Sequence, residues 1–344
     1  MGRKNRTVEL DRDNEIAPGL IAKTKKRLVV ARGSSHPALA ADVAQSLGTE
    51  LVPTEYRTFA SGEMLTRFQV SIRGCDLFLI QSFGPPVNEW LMETLIMLDA
   101  AKRASAKRIT VVAPYYPYSR QDKKGRGREP ISARLVADLL KTAGADRVMS
   151  VDLHAAQIQG FFDGPVDHLF AKPVLLEYFQ RTLSADDRAQ LTVVSPDTGR
   201  VRVADTWSDS LGAPLAIIHK RRDPNVANQV TVNEIVGDVS GRVCLLVDDM
   251  IDTGGTIVKA AEALKANGAT RVIVAATHAI FSDPAAERLQ SPAIDEVVVT
   301  DTVPIPDAKR FPSLTILPIA PLLARAIHEV FEDGSVTSMF DGAA

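Results

Sequence analysis

Leu245-Leu246-Val247-Asp248-Asp249-Met250-Ile251-Asp252-Thr253-Gly254-Gly255-Thr256 carries more chemistry than any other twelve residues of this chain. An apolar, β-branched run ends in two carboxylates. A short loop follows, and two glycines flanked by threonines open a helical stretch, Thr256–Asn267, with Ile257, Val258, Ala261 and Leu264 on one face and Gly268 beyond it. Glycine lets a backbone approach a ligand closely. The first amides of a helix have no partners within it and lie at the positive end of its dipole. With the hydroxyls of Thr253 and Thr256 added, the pattern predicts a phosphate cradle. Carboxylates beside a phosphate repel it, so Asp248 and Asp249 are expected to serve hydroxyl groups or a metal. The expected ligand is a phosphorylated sugar.

Similar short apolar runs recur on either side: Leu28–Ala31, Asp76–Ile80, Ile109–Ala113, Val148–Val151, Leu191–Val194, Val243–Val247, Val272–Ala276 and Val297–Val299. Runs of this kind suit buried parallel strands. Helical patterns lie between them, over Trp90–Ala104 and over Ser132–Thr142, where Ser132 reads as an N-cap and Gly144 as a stop. Alternating strands and helices predict an α/β fold. At about 100–200 residues per domain, a chain of 344 residues holds about two domains. The layout repeats before and after about residue 170. The expected organisation is an extension over 1–26, one domain over 27–170 and a second over 171–344. In such sheets ligands bind beyond the carboxyl ends of the strands.

Composition narrows the function. Forty basic and 42 acidic residues give a net charge of -2, without the basic excess of a protein that lives on phosphate-backbone contacts, so no nucleic-acid partner is expected. Two cysteines, Cys75 and Cys244, can build neither a disulfide framework nor a four-thiolate zinc site. With no signal peptide and no long apolar run, they point to the cytoplasm and away from a membrane. Residues 1–27 hold eight bases and four acids without periodicity, which reads as a flexible leader.

Other strand ends carry further chemistry. Tyr115-Tyr116-Pro117-Tyr118-Ser119-Arg120-Gln121-Asp122 precedes a basic loop with Lys123, Lys124, Arg126 and Arg128; its tyrosines can stack on a base and Arg120 can fork onto phosphate. Val151-Asp152-Leu153-His154 puts a histidine where it can bind a metal or a phosphate, and Ser195-Pro196-Asp197-Thr198-Gly199 adds a carboxylate. His219-Lys220-Arg221-Arg222-Asp223 is a cationic group suited to charge on a transferring phosphoryl group.

Taken together, these strings resemble class I ribose-phosphate pyrophosphokinases, members of the phosphoribosyltransferase-like superfamily, from about Arg27 to Phe340. Gln81-Ser82 with Asn88 and Leu91-Met92-Glu93, and Gly237-Asp238-Val239, add to the likeness. The resemblance implies two tandem phosphoribosyltransferase-like domains, each a mostly parallel sheet flanked by helices. It implies transfer of the β,γ-diphosphoryl group of ATP to the anomeric hydroxyl of ribose 5-phosphate, giving phosphoribosyl pyrophosphate and AMP. The pair Gly-Lys is absent, so ATP is not held by a Walker A loop.

By the same resemblance, Phe59, Ser61, Gly62, Glu63, Arg120 and Gln121 bind ATP, with Phe59 to Glu63 reaching a neighbouring subunit's site. His154 and Asp197 are the protein-side metal positions, and Mg2+ is the expected metal because its ligands are hard oxygens. Lys220 and Arg222 are the catalytic cations, and Arg222 also meets ribose 5-phosphate. Asp248 and Asp249 hold the ribose hydroxyls, and Asp252, Thr253, Gly254, Gly255 and Thr256 hold the 5-phosphate. A homohexamer is implied, with phosphate and ADP as effectors at Ser71, Arg73, Arg128, Ser335 and Thr337.

Some positions depart from the family pattern. Ser61 stands where Asp or Asn is usual, Gly127 where serine is frequent, Thr337 also differs, and Arg200 replaces the second glycine of Ser-Pro-Asp-x-Gly-Gly. Arg200 either marks a subfamily or alters phosphate contacts. Two rival readings are a phosphoribosyltransferase that consumes the product and a catalytically silent regulatory homologue. The first needs no Arg120-Gln121 site, and the second has no need of the retained Lys220, Arg222, His154 and Asp197.

Overall fold

The computed structural model describes residues 26–221 and 232–340. The first sheet is built from β1 (Leu28–Arg32), β4 (Asp76–Ile80), β5 (Arg108–Ala113), β6 (Arg147–Val151) and β7 (Val166–Leu169), all parallel. A separate antiparallel hairpin, β2 (Thr54–Thr58) and β3 (Met64–Phe68), projects between β1 and β4. Helices α1 (Pro37–Ser46), α2 (Val87–Arg103) and α3 (Ser132–Ala143) cover this sheet, so its strands are apolar on both faces.

The second sheet follows α4 (Lys172–Thr182) and α5 (Ala185–Ala189). It comprises β8 (Leu191–Ser195), β9 (Leu215–Arg221), β10 (Val232–Val236), β11 (Val243–Ile251), β12 (Arg271–Ala279), β13 (Glu296–Thr300) and β14 (Leu314–Leu317), in the order β10-β9-β8-β11-β12-β13-β14. Only β10 runs antiparallel to its neighbour; the other pairings are parallel. Helices α6 (Val201–Leu211), α7 (Gly255–Ala266), α8 (Ala285–Arg288) and α9 (Ala320–Phe331) complete the chain. The α/β architecture with two mostly parallel sheets is as the sequence implies.

Several details differ from the sequence reading. Strand β11 does not stop at Val247: its ladder with β12 continues through Asp248↔Ala276 to Ile251↔Ala279. Asp248 and Asp249 are therefore held on a rigid strand and not on a loop. Ser132 is not the N-cap of α3; Ile131 takes that position, and the Ser132 hydroxyl donates to Gln121 Oε1 instead. Gly144 does end the helix, at φ 128°. Helix α9 crosses back and packs on α1, where Leu323 and Ile327 share a core with Val30 and Leu39. Residues 1–25 of the expected leader lie outside the described residues, but Lys26 is anchored: its ammonium pairs with Asp333 and donates to the Phe331 carbonyl.

A polar seam joins the two sheets. Thr277 donates to Asp152 Oδ2 at 2.6 Å, and His278 Nε2 lies 3.2 Å from the Asp152 carbonyl. His36 Nε2 lies 2.8 Å from the Asp301 carbonyl, and Ser82 donates to the Thr302 carbonyl. Buried polar groups must be paired to be tolerated, so these bonds fix how one sheet sits against the other. Cys75 and Cys244 are both buried and free. Among the described residues, no helix is long and apolar enough to cross a membrane.

Candidate active site

The carboxyl ends of β6, β8 and β11 meet at a cleft of about 240 Å³ whose lining includes Arg120, His154, Asp197, Arg200 and Asp248 to Ile257. Arg120 and His154 come from the first sheet's loops; the rest come from the second. Their convergence follows from the seam, since Asp152 is bonded to Thr277 only two residues before His154.

Beyond β11, Gly254 is the N-cap of α7 at φ +73°, a left-handed conformation that glycine adopts without strain. It turns the chain so that the opening amides of α7, with Thr253 and Thr256, lie at the cleft. Arg288 Nη1 donates to the Thr253 carbonyl at 3.1 Å and steadies the loop. Asp252 accepts from Arg120 Nη1 at 2.7 Å, an ion pair that spans the two sheets. Burial works against ionising Asp252, but hydrogen bonds from Ser282 and Arg120 outweigh it and hold the carboxyl below its ordinary value.

Asp248, half-buried, and Asp249, buried, are neighbours at the cleft. Burial, and then the neighbouring Asp249 charge, push the Asp248 carboxyl well above the usual carboxylate range. Burial acts on Asp249 too, but the hydrogen bond with His154 and the Arg200 charge overcome it and lower its pKa. His154 Nδ1 lies 2.7 Å from Asp249 Oδ2. Asp197 Oδ1 accepts from the amides of Gly199 and Arg200 and so fixes the start of α6.

Several predicted residues lie elsewhere. Phe59, Ser61, Gly62 and Glu63 form the exposed turn of the β2–β3 hairpin and line no part of this cleft. Phe59 is 39% exposed, with the Arg57 guanidinium 4.9 Å from its ring centre. Gln121 is next to Arg120 but bonded to Ser132. Lys220 is on β9, its backbone opposite Asn233; Arg222 lies outside the described residues. Ser71 and Arg73 line a second cavity, of about 290 Å³. Arg128, at φ 70°, is exposed in the basic loop, and Ser335 and Thr337 are exposed near the C-terminus.

Two of the three tyrosines do not face the solvent as a platform for a base would. Tyr115 and Tyr116 are buried: Tyr115 packs against His278 with ring centres 4.9 Å apart, and the Tyr116 hydroxyl donates to the Ala133 carbonyl. Their apolar rings fill the core behind the cleft, which a solvent-facing stacking role would forfeit. Arg200 was visible in the sequence only as a departure from a glycine, yet its side chain lies in the cleft. The Arg120–Asp252 bridge left no sequence signal, because its partners are 132 positions apart.

The fold and site together define an α/β protein with a cleft, lined by a helix N-terminus and two carboxylates, where two sheets meet. Known proteins make the class specific. Residues 28–144 match the model for the N-terminal domain of ribose phosphate pyrophosphokinase, and residues 224–341 match the phosphoribosyl synthetase-associated domain. The ribose-phosphate pyrophosphokinase of Streptomyces avermitilis is 62% identical over 94% of this chain and 99% of its own length. That of Mycobacterium tuberculosis is 59% identical over 93% of this chain and 98% of its own. The crystal structure of phosphoribosylpyrophosphate synthetase from Mycobacterium smegmatis superposes with a TM-score of 0.85 at 58% identity, covering 90% of this chain and all of that one. The chain belongs to the ribose-phosphate pyrophosphokinase family, and it is an enzyme.

Proposed function

We propose that this enzyme transfers the β,γ-diphosphoryl group of ATP to the anomeric hydroxyl of ribose 5-phosphate, releasing AMP. The observation that carries this reading is the single cleft that joins Arg120 and His154 of the first sheet to Asp197, Asp248, Asp249 and the Asp252–Thr256 cradle of the second. A phosphoribosyltransferase needs only the cradle. In our reading the amides and hydroxyls of Asp252 to Thr256 bind the 5-phosphate, and Asp248 and Asp249 accept from the ribose hydroxyls. Arg120 and Gln121 meet ATP, together with Phe59, Ser61, Gly62 and Glu63 of a neighbouring copy, whose exposed turn is free to reach outward. Lys220 and Arg222 stabilise charge on the bridging and β-phosphate oxygens. Arg222 also meets the sugar phosphate. Phosphoryl transfer depends mainly on positioning and electrostatics, so the attacking hydroxyl needs placement more than a strong base.

Magnesium fits this site as a companion of the nucleotide. Among the described residues, no group of three or more His, Cys, Asp or Glu side chains is arranged to hold a metal. His154 keeps Nε2, and Asp197 keeps Oδ2, beyond the atoms already engaged. One or two protein ligands completed by phosphate oxygens and water suit Mg2+. When bound, the ion would neutralise phosphate charge.

We further propose a cytoplasmic homohexamer organised as an extension over 1–26 and domains over 27–170 and 171–344. Phosphate and ADP would act through Ser71, Arg73, Arg128, Ser335 and Thr337. The test is AMP release, followed by chromatography, from ATP and Mg2+ with and without ribose 5-phosphate in phosphate buffer. Sugar-dependent AMP is expected. Its absence would overturn the reading, and release of pyrophosphate from phosphoribosyl pyrophosphate and a base would favour the transferase.

A further inference from the structure

Arg200 binds three parts of the cleft at once. Its backbone amide donates to Asp197 Oδ1 at 3.1 Å. Its Nη1 donates to the His154 carbonyl at 3.2 Å, and its Nη2 lies 2.6 Å from His154 Nδ1, a nitrogen that can serve only one neighbour at a time, accepting from Arg200 or donating to Asp249. The same Nη2 is 2.5 Å from Asp249 Oδ2, and Nε is 3.5 Å from Asp248 Oδ1. Its side chain is only 14% exposed, so these contacts are formed largely away from water.

Two adjacent carboxylates repel each other unless they are held; the Asp249 amide, which donates to Asp248 Oδ1 at 2.8 Å, holds only one of the two. A guanidinium is a planar fork that can satisfy several acceptors in one fixed arrangement, whereas an ammonium is a compact point charge. Arg200 pairs closely with Asp249 Oδ2 and stands within ion-pair range of Asp248 Oδ1, 3.5 Å from its Nε. The second oxygen of each is left for a hydroxyl. The Asp249 contact also meets His154, so the aim of the sugar-side acids is tied mechanically to the loop after β6.

We infer that Arg200 is a positioning residue for the sugar: it clamps Asp248 and Asp249 so that their remaining oxygens present a fixed pair of acceptors to the ribose hydroxyls. It touches neither the anomeric hydroxyl nor ATP in this role. The inference rests on the sugar-phosphate reading proposed above. Loss of the clamp should therefore weaken ribose 5-phosphate far more than ATP.

The test compares wild type with Arg200→Gly and Arg200→Lys. Calorimetry gives the Kd for ribose 5-phosphate, steady-state assays give KM for both substrates, and thermal melts of the free protein report folding. Arg200→Gly should raise Kd and KM for ribose 5-phosphate by about 10- to 100-fold, the scale of loss when a group that orients a binding side chain is removed. KM for ATP should change by less than about three-fold. Arg200→Lys, which keeps the charge and protects the fold, should recover only part of the loss. Millimolar methylguanidine should restore sugar binding to Arg200→Gly and leave wild type unchanged.

Wild-type sugar affinity in both variants overturns the inference. So does an equal rise in both KM values that methylguanidine does not reverse, because that marks a general structural role. If Arg200→Gly does not fold, Arg200→Lys decides alone: a selective loss of sugar affinity supports the clamp, and unchanged affinity refutes it. If wild type neither binds nor turns over ribose 5-phosphate, the site reading itself falls and the clamp falls with it.

Discussion

Gly254→Ala isolates the backbone geometry of the phosphate cradle from its side chains. The residue caps α7 at φ +73°. An L-residue held in that left-handed region costs about 1–2 kcal/mol. Steric clash adds little: an added Cβ would lie 3.5 Å from Leu289 and 3.6 Å from Ala285, which is ordinary contact. The whole penalty is therefore conformational. If the loop relaxes to escape it, the opening amides of α7 turn from the phosphate, and KM for ribose 5-phosphate rises about five- to thirty-fold. If the loop keeps its shape, the same cost appears as lost stability. Gly255→Ala is the matched control. Gly255 has no positive φ, and its added Cβ would meet only Arg288 Nη1, at 3.4 Å, which is ordinary contact. Parallel measurements of AMP formation and thermal unfolding read both outcomes. A Gly254→Ala protein with wild-type KM and wild-type melting, or one no worse than Gly255→Ala, would refute the argument.

Three further outcomes are expected. Lys220→Ala should lower kcat on the order of 10²–10³-fold with a much smaller change in ribose 5-phosphate affinity, as for a cation that acts on transition-state charge; near-normal turnover would remove it from that role. Removing divalent ions with EDTA should abolish turnover yet leave the melting curve in place, since no group of three ligands exists among the described residues; a large drop in melting temperature would reveal a structural metal. The third concerns acid. Burial lowers the pKa of His36, His168 and His278, and for His278 it outweighs the opposing charges of Asp152 and Asp249. A histidine with a depressed folded pKa contributes stability above its unfolded value of about 6.5, lost as pH falls from there toward the folded value, at up to about 1.4 kcal/mol per pH unit. Denaturant melts at two pH values either side of that point should show a smaller acid loss for His278→Gln than for wild type, and equal losses would contradict the assignment.

The strand-rich core was legible because burial on both faces of a parallel sheet demands contiguous apolar residues, as in Val243–Val247 and Val272–Ala276. The cradle was legible because turn, dipole and hydroxyl requirements fall within a few consecutive residues. What the sequence hid depends on distance. Asp248 and Asp249 extend a strand because β12 supplies partners as far as Ala279, which the local pattern does not contain. Tyr115 and Tyr116 face inward because His278 of the seam and the Ala133 carbonyl of α3 receive them. Arg200 looked like a mere departure from glycine; only the fold carries its guanidinium to carboxylates 48 and 49 positions away. The return of α9 to α1 is likewise a tertiary choice between two apolar faces, and the helix periodicity alone does not make it.

The central claim is that one cleft receives both substrates, with the sugar phosphate on the second sheet and the nucleotide on the first. A crystal structure with ribose 5-phosphate, Mg2+ and a non-hydrolysable ATP analogue tests it most directly. The 5-phosphate should accept from the Thr253–Thr256 segment, the ribose hydroxyls should meet Asp248 and Asp249, and the nucleotide phosphates should draw Arg120 from Asp252. A sugar phosphate bound away from the α7 N-terminus, or a nucleotide bound outside this cleft, would contradict the account.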